Sequence, residues 1–138
     1  MLLLALLLSL TLAVSPVDFK IYRLPYYSGT LPEMYSGFLD TGDSSKNLFF
    51  WFFVNKEEKT STTFPVMLWL NGGPGISSMM GLFNENGPFN IDEDSSGKPM
   101  FTDIQHTWCN SAHMLYVDQP VGTGFSYSTN SSNYVTSD

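Results

Sequence analysis

Apolar runs and polar, turn-forming segments alternate along the chain, and the alternation predicts its elements. Met34–Leu39, Leu48–Val54 (LFFWFFV), Val66–Leu70 (VMLWL) and Met114–Val117 (MLYV) are short apolar runs of strand length. The second and third are apolar at consecutive positions, the pattern of strands covered on both faces. Between and beyond them lie Asp40–Asn47, Asn55–Thr63, Asp92–Pro99 and Ser128–Asp138, rich in Asp, Ser, Thr, Asn, Gly and Lys. Thr41-Gly42-Asp43 predicts a hairpin between the first two strands. After Leu70 the chain reads Asn71-Gly72-Gly73-Pro74-Gly75-Ile76-Ser77-Ser78, followed by a helical pattern to about Asn86. Met79, Leu82 and Phe83 share one helical face by i, i+3, i+4 spacing, with Ser77 or Ser78 expected as N-cap and Asn86-Gly87-Pro88 as the stop. Glu85 falls on the stripe of Ser78 and Gly81, whose small side chains leave room beside a carboxylate. A buried strand running through a glycine loop into a helix predicts an α/β fold.

The N-terminus carries a different signal. Met1–Ser15 (MLLLALLLSLTLAVS) has no charged side chain, and its apolar core from Leu2 to Val14 is too short for the roughly 17–25 residues of a membrane span. Its length and the Ala13-Val14-Ser15 pattern fit a secretory signal peptide, leaving residues 16–138 as one domain or part of one. Asn130-Ser131-Ser132 is an N-glycosylation acceptor, which agrees with entry into the secretory pathway. Composition then removes several alternatives. Of 138 residues, 43% are hydrophobic and 14% charged, a balance that excludes disorder and coiled coil. Six Lys plus Arg against 13 Asp plus Glu give a net charge of −7, without the basic footprint that nucleic acid requires. A single cysteine, Cys109, excludes a disulfide scaffold or a cysteine-rich metal site.

The candidate chemistry sits in the glycine loop. Glycines at the carboxyl end of a strand permit positive φ and turn backbone N–H groups outward, and such donors beside a helix N-terminus suit a phosphate, a carboxylate or a developing oxyanion. Phosphate is disfavoured, because the loop matches neither the Walker lysine pattern nor the G-x-G-x-x-G fingerprint.

Trp69–Ser78 (WLNGGPGISS) resembles the WLNGGPGCSS signature of the serine carboxypeptidases, and further blocks match that family in order. They are Ser36–Leu39, Phe49–Phe53, Gly81–Phe83 with Glu85, Gly87–Phe89, and Asp118–Tyr127 (DQPVGTGFSY), together covering nearly all of Ser36–Ser128. The resemblance implies the N-terminal part of an α/β-hydrolase fold and removal of C-terminal residues from peptides through an acyl-enzyme. It assigns an oxyanion-hole N–H to Gly73, and recognition of the substrate's terminal carboxylate to Asn71, the Gly72 N–H and Glu85. No cofactor or metal is implied; the expected partner is a peptide C-terminus, and the expected location is extracellular or vacuolar/lysosomal. Ile76 stands where the family usually has a half-cystine, and Cys109 and His113 stand where Asn is common. Cys109 and His113 are four residues apart, yet His113 opens an apolar strand and is expected to pack there; His106 is expected on a surface loop. Asp118 is expected to make structural hydrogen bonds at a strand end. No G-x-S-x-G nucleophile elbow occurs in the 138 residues, so the triad residues are not among them. Two other readings stay open: a catalytically inactive binding product, and a carboxypeptidase-like acyltransferase.

Overall fold

A computed structural model of the chain describes residues 19–57 and 64–134. The expected signal peptide, Met1–Ser15, lies outside the described residues, as does part of the polar Asn55–Thr63 segment. In chain order the elements are β1 (Met34–Asp40), β2 (Lys46–Phe53), β3 (Val66–Trp69), α1 (Met79–Asn84), β4 (Phe89–Glu93), β5 (Pro99–Asp103), β6 (His113–Val117) and β7 (Tyr127–Ser128).

The β1–β2 hairpin forms as the turn residues predict. Gly42 takes φ +75°, and the Asp40 carboxylate accepts its amide at 2.8 Å. The strands pair antiparallel from Met34 opposite Phe53 to Asp40 opposite Asn47. β6 then lies antiparallel to β2 and parallel to β3, giving the order β1-β2-β6-β3, with β7 pairing the start of β2. Parallel neighbours need a crossover. Here residues 70–112 supply it, carrying the glycine loop, α1 and a separate β4–β5 hairpin.

The core lies where β2 and β6 meet α1. Phe53, Met114, Tyr116, Leu82 and Ala112 are fully buried, and Met34 and Phe89 nearly or completely so. Aromatic alternation along β2 serves both faces, as its continuous apolar run predicts. Phe53 meets Tyr116 and Phe89 edge-on, whereas Phe52 stacks on His113 and Phe50 meets Phe19. Burying a phenylalanine of this kind stabilises the fold by about 1.5–3 kcal/mol.

β3 departs from expectation. Its run is as apolar as that of β2, but among the described residues it has one strand partner, β6, and Val66 and Leu68 are 61% and 58% exposed. A two-sided apolar pattern reports what a strand is suited to, and sheet order decides what covers it. The Asp92–Pro99 segment also holds more than a turn: it joins β4 and β5, with the bend at Asp94–Lys98 and Gly97 at φ +76°. α1 ends at Asn84, two residues before the expected stop, because the Glu85 and Asn86 amides both close on the Gly81 carbonyl.

Candidate active site

β3 delivers its last residues into a small polar cluster. Side chains two apart along an extended chain share a side. Trp69 and Asn71 therefore meet, and the Trp69 indole N–H donates to Asn71 Oδ1 at 2.7 Å. An indole nitrogen only donates, which fixes the amide so that Oδ1 faces Trp69 and Nδ2 faces outward. Asn71 Nδ2 then donates to Glu85 Oε1 at 3.4 Å, a long contact. Glu85 is exposed and directly follows α1. The space beside Gly81 that the sequence reserved for this carboxylate is in fact filled by Trp69 and Asn71. A Cβ on Gly81 would collide with Trp69 Nε1 and crowd Asn71 Oδ1.

The next residues form the loop. Gly73 has φ +131° and Gly75 φ +101°, both in the region that glycine alone enters without strain. Gly72 and Gly73 are exposed, and neither amide donates to another group among the described residues. These are two adjacent unengaged donors directly after Asn71 in the chain. The loop's internal bond, from the Ile76 amide to the Gly72 carbonyl, is long at 3.4 Å.

The helix N-terminus, by contrast, is not available to a ligand. Asp118, fully buried at the end of β6, accepts from the Ser78 amide at 2.7 Å and from Ser77 Oγ at 2.7 Å, while its second oxygen accepts from the Phe125 amide at 3.0 Å. Its carboxylate therefore occupies the start of α1, a helix of six residues. Any anion at this loop must be held by the Gly72 and Gly73 amides and not by the helix. Ser78 is the N-cap by position, but its hydroxyl makes no capping bond. It donates to the Val117 carbonyl and accepts the Asn71 amide at 3.1 Å, and Ser77 Oγ instead accepts the Met79 amide at 3.2 Å.

The remaining candidates separate from this cluster. Cys109 is buried, and burial pushes its thiol above the ordinary value, the opposite of an activated nucleophile. His113 is buried, accepts the Asn55 amide at Nδ1 and stacks on Phe52; His106 is exposed. Ile76 is half exposed on the loop. Asn130 is exposed and opens a short 3-10 turn, its Oδ1 accepting from the Ser132 amide and hydroxyl. Among the described residues no three His, Cys, Asp or Glu side chains gather as a metal site, and no helix is long and apolar enough to cross a membrane. The sequence marks Ser78 and Gly81 as small neighbours of Glu85 and Ser78 as a helix cap, but it does not single out Trp69 as part of the site. The i, i+2 spacing of Trp69 and Asn71 was the signal that could have found it.

A mixed sheet whose β3 runs through a glycine loop into a helix, then crosses over to a parallel neighbour, is the N-terminal part of an α/β-hydrolase fold. The solved structure of Kex1(Δ)p, a prohormone-processing carboxypeptidase from Saccharomyces cerevisiae, superposes with a TM-score of 0.68 at 30% identity, covering 90% of this chain and 28% of that one. The serine carboxypeptidase family model matches residues 25–138. Serine carboxypeptidase-like 20 of Arabidopsis thaliana is 40% identical over 96% of this chain and 28% of its own length. Carboxypeptidase Y homolog A of Penicillium rubens is 47% identical over 70% of this chain and 16% of its own. The chain belongs to the serine carboxypeptidase family. It spans only 16–28% of the length of these relatives.

Proposed function

We propose that this chain supplies the recognition half of a serine-type carboxypeptidase active site. The observation that carries the reading is the Trp69–Asn71–Glu85 chain of hydrogen bonds, set directly beside the unengaged Gly72 and Gly73 amides. Asn71 Nδ2 and the Gly72 amide donate to the substrate's terminal carboxylate, and Glu85 shares one proton with it. The Gly73 amide donates to the oxyanion of the tetrahedral intermediate, where loss of one such donor typically costs about 2.7–4 kcal/mol. The nucleophile and the rest of the triad come from outside these 138 residues. Family membership, the apolar leader and the exposed Asn130 acceptor support a glycosylated product of the secretory pathway, extracellular or vacuolar/lysosomal.

Two carboxylates in contact repel, so binding is favoured when one proton lies between them. In the full-length protein, KM for a blocked dipeptide with a free C-terminus should rise from acid toward neutral pH. Glu85→Gln should flatten that rise, and a C-terminally amidated substrate should not show it. An unchanged pH profile in Glu85→Gln removes Glu85 from the carboxylate site.

A further inference from the structure

We infer that Asp118 is the positioning residue of the oxyanion loop, an inference that rests on the role proposed for Gly73. The loop does not hold itself. Between Asn71 and Ser77 it contains two glycines at positive φ, is exposed from Gly72 to Ile76, and has the single long internal bond at 3.4 Å. Both its ends, however, are fastened to the carboxyl end of β6. At the start, the Asn71 amide donates to Ser78 Oγ, which itself donates to the Val117 carbonyl. At the finish, Ser77 Oγ and the Ser78 amide both donate to one oxygen of Asp118.

The second oxygen of Asp118 ties this anchor to another loop. It accepts the Phe125 amide, and Gly124, at φ +53°, packs so closely that a Cβ there would strike the carboxylate and meet Ser77 Oγ. Ser126 closes the arrangement by donating to the Asp118 carbonyl and accepting the Phe49 amide at 2.8 Å. The carboxylate thus receives three donors from two loops while contributing no donor of its own. It does not reach the substrate position; it acts through the loop that carries Gly72 and Gly73.

Asp118→Asn is the sensitive variant, because it keeps the volume but replaces one acceptor with an NH2 that must face an N–H or O–H donor. Ser77→Ala is the milder second variant, and Gly73→Ala the reference. In the full-length protein, with a cooperative melt as the folding check, Asp118→Asn should lower kcat about 100-fold, the loss that misplacement by about 1 Å produces. KM should stay within about threefold, since carboxylate binding draws also on Asn71 Nδ2 and Glu85. Ser77→Ala should lower kcat several-fold in the same pattern, and decides the matter if Asp118→Asn does not fold. Equal losses in kcat and 1/KM, or retained kcat in whichever of these variants folds, overturn the positioning role. If Gly73→Ala lowers kcat while Asp118→Asn and Ser77→Ala keep it, the positioning role alone falls. If Gly73→Ala keeps kcat, the oxyanion reading falls and takes this inference with it.

Discussion

Gly81→Ala separates the helix from the site it serves. Inside a helix this exchange ordinarily stabilises by about 1 kcal/mol, since alanine is the better helix former. Gly81 has no unusual backbone angle to defend. What opposes the exchange is space: the new methyl collides with Trp69 Nε1 and crowds Asn71 Oδ1, two groups joined by a 2.7 Å hydrogen bond. Overpacking of this kind costs about 1–3 kcal/mol and the displaced hydrogen bond a further 0.5–1.5. The net expectation is a destabilisation of about 0.5–3.5 kcal/mol, with the sign set by sterics over propensity.

The same displacement has a catalytic signature. Pushing Trp69 and Asn71 apart releases the amide that aims Nδ2 at Glu85. A hydrogen bond to a charged carboxylate contributes about 1.5–3 kcal/mol, so KM for a free-acid dipeptide should rise about tenfold or more. KM for the amidated dipeptide should change little, and kcat should be retained, because Gly73 and the Asp118 anchor of its loop are not touched. The assay pairs thermal melts of the full-length protein with KM on both substrates. A variant that melts higher than its parent and keeps KM for the free acid refutes the steric reasoning and the Asn71 assignment together.

Two further outcomes are expected. Asp94 accepts from Ser96 Oγ, the Ser96 amide and the Lys98 amide, and these bonds, the Ser96 hydroxyl foremost, hold its carboxyl below the ordinary value of 3.8. The fold favours its ionised form, so its contribution to stability is complete above that value and is lost as pH falls through the lower folded one. The difference in melting temperature between the protein and Asp94→Ala should be constant near neutrality and shrink below about pH 4; a difference that persists unchanged to pH 2 contradicts this. Expressed in a eukaryotic secretory host, the protein should begin after Ser15 and lose mass on deglycosylation, a loss smaller by one glycan in Asn130→Gln. Retention of Met1–Ser15, or an identical mass in Asn130→Gln, contradicts the secretory reading.

The sequence made local features legible and left the pairings over distance open. The β1–β2 hairpin announces itself through Asp40, Gly42 and the aromatic run that follows, because its turn chemistry lies within a few residues. β4 and β5 were hidden: Asp92 and Glu93 load the first with charge, and both strands are largely exposed, so neither shows a buried face. Phe89 and Phe101 are the residues that betray the hairpin, and they do so through long-range packing: on each other, on Tyr27, and on Phe53 and Phe83 respectively. The exposure of β3 was illegible for a related reason. The pattern Val-Met-Leu-Trp describes the strand, whereas coverage depends on which strands lie beside it.

The same division runs through the site and has a functional consequence. Gly72 and Gly73 can be read from a glycine run at a strand end, since the constraint is in their own backbones. Asp118 can be placed at a strand end by sequence, but its donors sit 40 or 41 residues earlier and 7 later, and no pattern joins them. Glu85 lies between these cases, 14 residues from Asn71 with one short helix fixing the separation. On the proposed reading, carboxylate recognition rests on β3 and α1, through Trp69, Asn71, Gly81 and Glu85. The proposed oxyanion loop rests on β6, through Val117 and Asp118. If the reading holds, two distinct supports let substrate affinity and transition-state stabilisation vary separately. Changes at Gly81 or Glu85 should therefore move KM, and changes at Asp118 or Gly73 should move kcat. Ser78 is joined to both supports, accepting the Asn71 amide while its own amide and hydroxyl are held by Asp118 and Val117.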